Sequence, residues 1–288
     1  MPVSLDQGAF IDLLEWYAEV GVDVALDETA VDRLAPSALS TAPAAMGVPT
    51  AAAPPSQRAS LAQPSLPRVS VPPAVAAPAG EIERVARASA ATATTLEELR
   101  TALAAFDGCN LRLTATQLVF ADGTPQSRVM LVGEAPGRDE DIQGLPFVGR
   151  SGQLLDRMLA AIGLDRSTVY IANVVPWRPP GNRTPTPQET AACRPFIDRQ
   201  IALADPDFLI CLGGPAAAEL MGNREGILKF RGRWHEYDTG RRRIRAMATL
   251  HPAYLLRQPL QKRLAWRDFL ALKAALSEPR VGPAPARA

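Results

Sequence analysis

Three short segments of the chain place polar side chains beside glycines and prolines. One reads GEAPGRDED from Gly133 and is followed closely by LPFVGRSG, the second reads NVVPWRPPGNR from Asn173, and the third reads HPAYLLR from His251. Carboxylates, amides, arginines and histidines on such loops can activate water, recognise the edge of a planar ring or contact phosphates. These segments are therefore the candidate site.

The first segment combines backbone freedom with a carboxylate. Its glycines and proline let the backbone approach a ligand closely, and Glu134 lies among them. Such a loop alone is weak support for any function, and a tight turn followed by a solvated acidic run accounts for Asp139. That interpretation fits Glu134 and Phe147 poorly, so both are predicted site residues.

The second segment begins with an amide at the end of an apolar run. A buried asparagine costs about 1 to 3 kcal/mol unless its amide is paired, so Asn173 requires a partner. Either it caps a neighbouring loop, or its carbonyl and NH2 recognise a planar amide edge such as that of a base. Arg178 and Arg183 follow on a proline-rich loop, where they either contact phosphates or are simply solvated.

The third segment contains one of the two histidines of the chain. His251 directly follows a predicted strand, whereas His235 lies in a basic and aromatic stretch and is interpreted as a structural or surface residue. Leu255 and Leu256 beside Arg257 suit a wedge that enters between bases. Leucines packed inward are the alternative, which stays open for Leu256 especially.

Apolar runs of strand length alternate with amphipathic runs of helix length after residue 106. This alternation predicts a parallel sheet with helices on both faces. In such a sheet a ligand lies beyond the carboxyl ends of the strands, where all three segments fall. Ser151 and Thr186 are predicted helix caps, the latter followed by Pro and Glu at the favoured positions. The predicted strands are 128–132, 169–175, 208–212 and 245–250, and the predicted helices are 82–91, 96–105, 151–162, 187–203, 215–221 and 260–276.

The 288 residues divide by composition into four parts. We predict a helical arm over 1–35 with an amphipathic helix at 8–20, a Pro/Ala-rich flexible linker over 36–80, a main domain over 81–277 and a disordered tail over 278–288. At 47% hydrophobic residues, the chain has ample material for a core. Three widely spaced cysteines exclude a disulfide framework and favour a reducing compartment. Without the pattern of a signal peptide or a membrane span, the expected location is the cytoplasm.

In this order and at these spacings, GEAPGRDED, LPFVGRSGQLLDRML, NVVPWRPPGNRTPTPQE and HPAYLLR resemble the uracil-DNA glycosylases, specifically the family 4 branch found in bacteria and archaea. The resemblance covers about residues 106–276 and leaves 1–80 outside. It implies a three-layer α/β/α fold with a central, mainly parallel four-stranded sheet. It also implies a monomeric DNA repair enzyme that hydrolyses the bond between uracil and deoxyribose, with no membrane contact.

The resemblance assigns residues to the flipped base. It implies that Phe147 stacks on uracil and that Asn173 pairs with its amide edge, which would reject cytosine. The backbone from Gly133 through Ala135 resembles the wall that reads the base and positions water. Under this assignment the pocket admits uracil and, as an open alternative, hypoxanthine or xanthine.

The resemblance also assigns the groups that act on the glycosidic bond. Cleavage leaves a sugar with oxocarbenium character and a uracil anion, so the site must stabilise charge on uracil O2 and present water to C1′. His251 resembles the residue that faces O2. Glu134 is our first choice for activating water, with Glu140 or Asp141 as alternatives.

The resemblance also implies which residues contact the DNA duplex. Leu255 resembles the residue that enters the duplex in place of the extruded nucleotide, and Arg178, Arg183 and Arg257 are the predicted DNA-binding arginines. The net charge of +1 is an average over two unlike parts. Residues 1–105 hold 6 basic and 12 acidic side chains, whereas residues 106–288 hold 25 basic and 18 acidic side chains. We therefore expect the catalytic segment to bind DNA with strong salt dependence and the acidic arm to weaken binding, if it acts there at all.

Family 4 members bind a 4Fe-4S cluster through four cysteines, and here this chain departs from the pattern. The corresponding positions are Phe106, Cys109, Trp177 and Cys193. Because two thiolates do not complete a four-cysteine site, we expect the cluster to be absent and the aromatic rings to fill its space. Cys211 is predicted to be a small core residue.

Two further hypotheses stay open at the level of the sequence. A protein of the same fold could bind damaged DNA without cleaving it. The amphipathic helix predicted at 8–20 could dock on a repair or replication protein, or on its own domain.

Overall fold

The computed structural model describes residues 79–279. The predicted arm, nearly all of the predicted linker and most of the predicted tail lie outside the described residues. The described part begins in a helix at Ala79, close to the start predicted for the main domain.

A six-stranded sheet forms the centre of the described part, in the order β1-β3-β2-β4-β6-β5. The four central strands are parallel, and the two edge strands, β1 and β5, are antiparallel to their neighbours. The four predicted strands are the parallel centre, so the predicted fold class is confirmed and the sheet is two strands wider than expected. The strands are β1 Asp122–Gly123, β2 Val129–Gly133, β3 Val169–Asn173, β4 Phe208–Leu212, β5 Trp234–Asp238 and β6 Arg243–Thr249.

Helices cover both faces of this sheet. The described α-helices are α1 Ala79–Thr92, α2 Leu96–Ala105, α3 Arg138–Gln143, α4 Arg150–Ala160, α5 Pro187–Ala204, α6 Gly214–Met221, α7 Ile227–Phe230, α8 Pro252–Arg257 and α9 Lys262–Leu276. Along β2, Met130 and Val132 pack with α1, α2, α5 and α6, whereas Val129 and Leu131 pack with α4 and α9. Every residue of β2, β3 and β4 is buried because each strand is covered on both faces. The result is the predicted three-layer α/β/α arrangement.

Local signals fix the helix starts that frame the site. The Thr186 hydroxyl accepts from the Glu189 amide (3.3 Å), and the Glu189 carboxylate accepts from the Thr186 amide (2.7 Å), which confirms the predicted capping box. The predicted cap at Ser151 is wrong, because α4 begins one residue earlier with Gly149 as its N-cap. Among the residues that the structure describes, none of the helices has the length and apolar character needed to cross a membrane.

Candidate active site

A cavity of about 650 Å³ opens at the carboxyl ends of β2, β3, β4 and β6. Parallel strands bring their carboxyl ends to one edge, so segments distant in sequence meet there. All three predicted segments reach the cavity. Its walls include seven predicted site residues, namely Glu134, Ala135, Phe147, Asn173, Arg183, His251 and Arg257.

Phe147 and Asn173 line the cavity and pack closely against Gly133, which is not itself among the lining residues. Gly133 and Asn173 are partners in the β2–β3 register, and the Phe147 ring packs over them. A Cβ on Gly133 would lie 2.5 Å from Asn173 Oδ1 and 2.6 Å from Phe147 Cζ, so only glycine fits. Asn173 is 5% exposed, and its Oδ1 is a buried acceptor that no described residue satisfies. A buried amide oxygen of this kind requires a donor from a ligand or from water.

Phe147 is held in an unusual backbone conformation. Its φ is +56°, a region that non-glycine residues rarely adopt, and its carbonyl lies so close to Gly152 that a Cβ there would be 1.6 Å away. The Arg166 guanidinium donates to the Phe147 carbonyl and to the Pro146 carbonyl (3.1 Å). These contacts present the ring 5.5 Å from the His251 ring, centroid to centroid.

Glu140 and Asp141, the alternative water activators, are both committed to the backbone. Glu140 Oε1 accepts from the amides of Val148 and Gly149, and Oε2 accepts from the Gly137 amide, each at 3.1 Å. Asp141 accepts from the amide (2.8 Å) and hydroxyl (2.9 Å) of Thr116 and from the amide of Gln117 (3.2 Å). Both carboxylates therefore brace the loops around the cavity.

Glu134 differs from them in having a free oxygen. Its Oε1 is buried at the cavity wall and has no hydrogen-bond partner among the described residues. Burial raises the pKa of Glu134, and a hydrogen bond with the Thr184 side chain opposes part of that shift. A partly desolvated carboxylate with a free acceptor is suited to accept a proton from water.

His251 is fixed in a defined tautomer. Its Nδ1 accepts from the Ala253 amide (3.1 Å), so it caps α8 and leaves the proton of the neutral ring on Nε2. Burial, reinforced by the charge of Arg257, lowers the pKa of His251 to about 4. The imidazole is consequently neutral near pH 7, with Nε2 available as a hydrogen-bond donor.

The structure contradicts the role predicted for Leu255. Its side chain is 0% exposed and packs in a small core with Leu154, Leu250 and Ala265. A wedge must project from the surface, so Leu255 as folded cannot enter a duplex. Leu255 therefore follows the alternative of inward packing.

The predicted DNA-binding arginines fall into different environments. Arg257 is exposed at the cavity rim. Arg183 is also at the rim, but both of its terminal nitrogens donate to Glu189 (2.8 and 2.7 Å). Arg178 does not line the cavity, and its Nε donates to Asn182 Oδ1 (2.7 Å), which shapes the loop.

Three arginines that contribute to the basic charge of 106–288, Arg231, Arg242 and Arg243, are paired with carboxylates. Arg231 forms an ion pair with Asp268, which is 1% exposed, and Arg242 donates to Asp205 (2.6 Å). Arg243 donates to Glu236 (3.0 Å) at the amino end of β6. The cavity lies at the carboxyl end of that strand, so the three arginines at 241–243 lie at the amino ends of the parallel strands, away from the cavity.

A family model of the uracil DNA glycosylase superfamily matches residues 120–270, which contain every cavity residue named above. The chain belongs to the uracil-DNA glycosylase superfamily. It is 45% identical over 150 residues to a type-4 uracil-DNA glycosylase of Thermotoga maritima, covering 52% of this chain and 77% of that protein. It is 39% identical over 165 residues to one of Archaeoglobus fulgidus (56% and 83%), and 36% identical over 190 residues to one of Sulfurisphaera tokodaii (64% and 86%). The family 4 resemblance is thereby confirmed.

The comparison overturns our expectation that this glycosylase carries no 4Fe-4S cluster. Its relatives belong to the type-4 class, whose members carry one, and nothing in the described residues demonstrates its absence. At the four corresponding positions the structure places Cys109 and Cys193, which hydrogen-bond each other, with buried Phe106 and Trp177. These residues supply two thiolates, fewer than a four-cysteine site requires.

Several residues that line the glycosylase cavity were missed in the sequence. Asn182 and Thr184 lie in the loop after β3 and Tyr254 lies in α8, and nothing in their residue types marks them as site residues. The left-handed backbone of Asn182, with φ +55°, turns the loop towards the cavity. The available signal was only their position within the three segments.

Proposed function

We propose that this glycosylase hydrolyses the N-glycosidic bond between uracil and deoxyribose in DNA and leaves an abasic site. The observation that carries the proposal is the buried Asn173 amide beneath the Phe147 ring, in a cavity with Glu134 and His251. The superfamily membership and the type-4 relatives support it.

Recognition follows from the donors and acceptors of the base. Uracil N3–H donates to Asn173 Oδ1, and uracil O4 accepts from the amide nitrogen of the same side chain. Cytosine presents an acceptor at N3 and a donor at N4, which would leave the buried Oδ1 unpaired at a cost of about 1 to 3 kcal/mol. Phe147 supplies a stacking surface for the extruded ring. A base that is already unpaired or mismatched is extruded more easily.

The chemical step separates two charges. The electron pair of the C1′–N1 bond leaves with uracil, and the neutral His251 donates from Nε2 to the O2 that gains the negative charge. Glu134 accepts a proton from water as the water oxygen bonds to C1′. The raised pKa of Glu134 makes it a stronger base, because burial destabilises its charged form.

DNA contact is assigned to the rim of the cavity. Arg257 is the exposed cation nearest to His251 in the chain and is positioned for a phosphate. Arg183 can act in the same way after exchanging its carboxylate partner for a phosphate. We assign no residue to the space left by the extruded nucleotide, since Leu255 is buried.

Oligonucleotides that carry uracil, hypoxanthine or only normal bases test this function. The protein is incubated with each duplex, and abasic sites are then cleaved with alkali. We expect strand breaks at uracil only, and only after the alkali, as for a monofunctional enzyme. Binding of the uracil duplex without cleavage would replace the proposal with that of a damage-binding protein, and cleavage at hypoxanthine would broaden the substrate class.

A further inference from the structure

A second cavity, of about 140 Å³, lies behind Glu134. It shares Glu134, Thr184 and Pro215 with the substrate cavity, so the two spaces adjoin at these residues. The remaining walls come from the residues that follow β3, the loop before α5, and helices α5 and α6, namely Val174, Val175, Pro185, Thr190, Ala216 and Glu219. Glu134 therefore borders both the substrate chamber and a separate space.

The polar groups of this second cavity are spaced along it. Thr190 donates its hydroxyl proton to the Thr186 carbonyl (3.1 Å), so its oxygen lone pairs remain available. Glu219 pairs with Arg194 (3.3 Å), and its side chain is 33% exposed, which places the far end of the cavity at solvent. At the near end lies the Glu134 carboxylate, whose Oε1 is buried and has no hydrogen-bond partner among the described residues.

The volume suits a short chain of water molecules. A water in the liquid takes about 30 Å³, so the space holds roughly four, and each needs two to four polar partners. The Glu134 oxygen, two threonine hydroxyls and the Glu219 carboxylate provide such partners at intervals, whereas the valine, proline and alanine walls provide none. The chemistry of the walls therefore fits water better than an apolar ligand.

Hydrolysis requires that water reach Glu134 while the substrate is bound. In the proposed function the extruded nucleotide occupies the substrate cavity and the DNA covers its mouth, which closes the front route from solvent to Glu134. Each turnover nevertheless consumes one water and transfers one of its protons to Glu134. We propose that the second cavity is a water path that supplies the hydrolytic water to Glu134 from behind and returns its proton to solvent at Glu219. This inference rests on the proposed function and assigns Thr190 and Glu219 as positioning residues.

The hydrolytic step forms one bond to C1′ and breaks another. The water oxygen bonds to C1′ while the C1′–N1 bond breaks with its electron pair on uracil. The proton released to Glu134 travels along the hydrogen-bonded waters to Glu219 and leaves to solvent. Uracil takes up a proton from solvent on release, so the sum is one water consumed.

A matched pair of alanine substitutions in α6 tests the path. Ala216 lines the second cavity but not the first, whereas its neighbour Ala217 lines neither, and both are 0% exposed. Ala216→Val adds two methyl groups to the path, and Ala217→Val adds the same groups elsewhere, with a similar overpacking cost of about 1 to 3 kcal/mol. Unfolding free energies of the two variants measure that cost directly.

The measured quantity is the single-turnover rate of uracil excision at saturating enzyme, together with the dissociation constant for the same duplex. We expect Ala216→Val to slow excision about tenfold, equivalent to about 1.4 kcal/mol in the barrier, with unchanged DNA affinity. Ala217→Val should retain the wild-type rate. Equal rates in the two variants would overturn the path, whereas failure of the wild-type protein to excise uracil would overturn the proposed function instead.

Substitutions that preserve volume cover the case in which Ala216→Val does not fold. Thr190→Val and Glu219→Gln remove a hydroxyl and a charge without filling the cavity. Each should slow excision about threefold, a loss of about one hydrogen bond, and added small-buffer anions should restore the rate of Glu219→Gln by replacing the terminal proton acceptor. A rate for Glu219→Gln that is reduced but insensitive to buffer would indicate a structural role and contradict the path.

Discussion

Removal of the His251 side chain tests the chemistry of the site most directly. The proposed function gives Nε2 one task, donation to the O2 that becomes negative as the glycosidic bond breaks. A preorganised donor of this type contributes about 2.7 to 4 kcal/mol to the transition state, so His251→Ala should slow excision about 100- to 1000-fold. The assay is single-turnover excision from a uracil duplex, followed by alkali.

The same substitution also removes a helix cap, and the two effects must be separated. Nδ1 accepts from the Ala253 amide (3.1 Å), and loss of such a cap costs about 1 kcal/mol of folding stability. His251→Ser keeps a capping oxygen but has no donor that reaches the uracil. We therefore expect the serine variant to recover the stability and to remain as slow as the alanine variant.

The pH dependence provides a second check on the tautomer. Because the pKa of His251 is lowered to about 4 from an ordinary 6.5, the neutral donor predominates throughout the useful range. The ratio of the wild-type rate to the His251→Ser rate should then be constant between about pH 6 and about pH 9. A ratio that falls through the ordinary histidine range would show that the donor is an imidazolium, and a serine variant as fast as wild type would show that His251 only caps α8.

Three further outcomes follow from the site and its surroundings. Glu134→Gln should lower the excision rate about 100- to 10,000-fold, since it removes the proposed base. Because burial raises the pKa of Glu134, the acid limb of the wild-type pH–rate profile should lie above the ordinary value of 4.5. A profile that is flat through that region would contradict the assignment. Leu255→Ala should cost about 2 to 5 kcal/mol of unfolding free energy, while Leu260→Ala, at a position 85% exposed, should stay within about 0.5 kcal/mol by the same denaturation assay. Arg257→Ala should reduce the slope of log affinity against log salt by about 0.9, and Arg243→Ala, at the amino ends of the parallel strands, should leave the slope unchanged.

The parallel centre of the sheet was predictable because its strands are buried on both faces. Continuous apolar runs such as 208–212 mark that environment, and the capping box at Thr186 marks the end of the loop before it. The edge strand β5 was not predictable in this way, since its residues WHEYD are mostly partly buried or exposed. Its pairing with β6 is decided by the hairpin turn rather than by burial.

The site was predictable as a set of segments but not as a set of side-chain roles. The rule that ligands lie beyond the carboxyl ends of parallel strands located all three loops. It could not show that Leu255 faces the core, because a six-residue helix presents too few positions for the buried face to be read from sequence. Nor could it detect the contact between Thr184 and Glu134, which are fifty residues apart in the chain and meet only when β2 and the loop after β3 are folded.

The carboxylates of the first loop show how the fold separates support from chemistry. The sequence offers Glu134 as the first choice for activating water, with Glu140 or Asp141 as alternatives. In the folded protein the last two accept hydrogen bonds from the amides of the surrounding loops, and those of Glu140 hold the loop that carries Phe147. Glu134 alone of the three keeps a buried, unsatisfied oxygen at the cavity. A free base and the carboxylates that brace its loop therefore come from the same short segment.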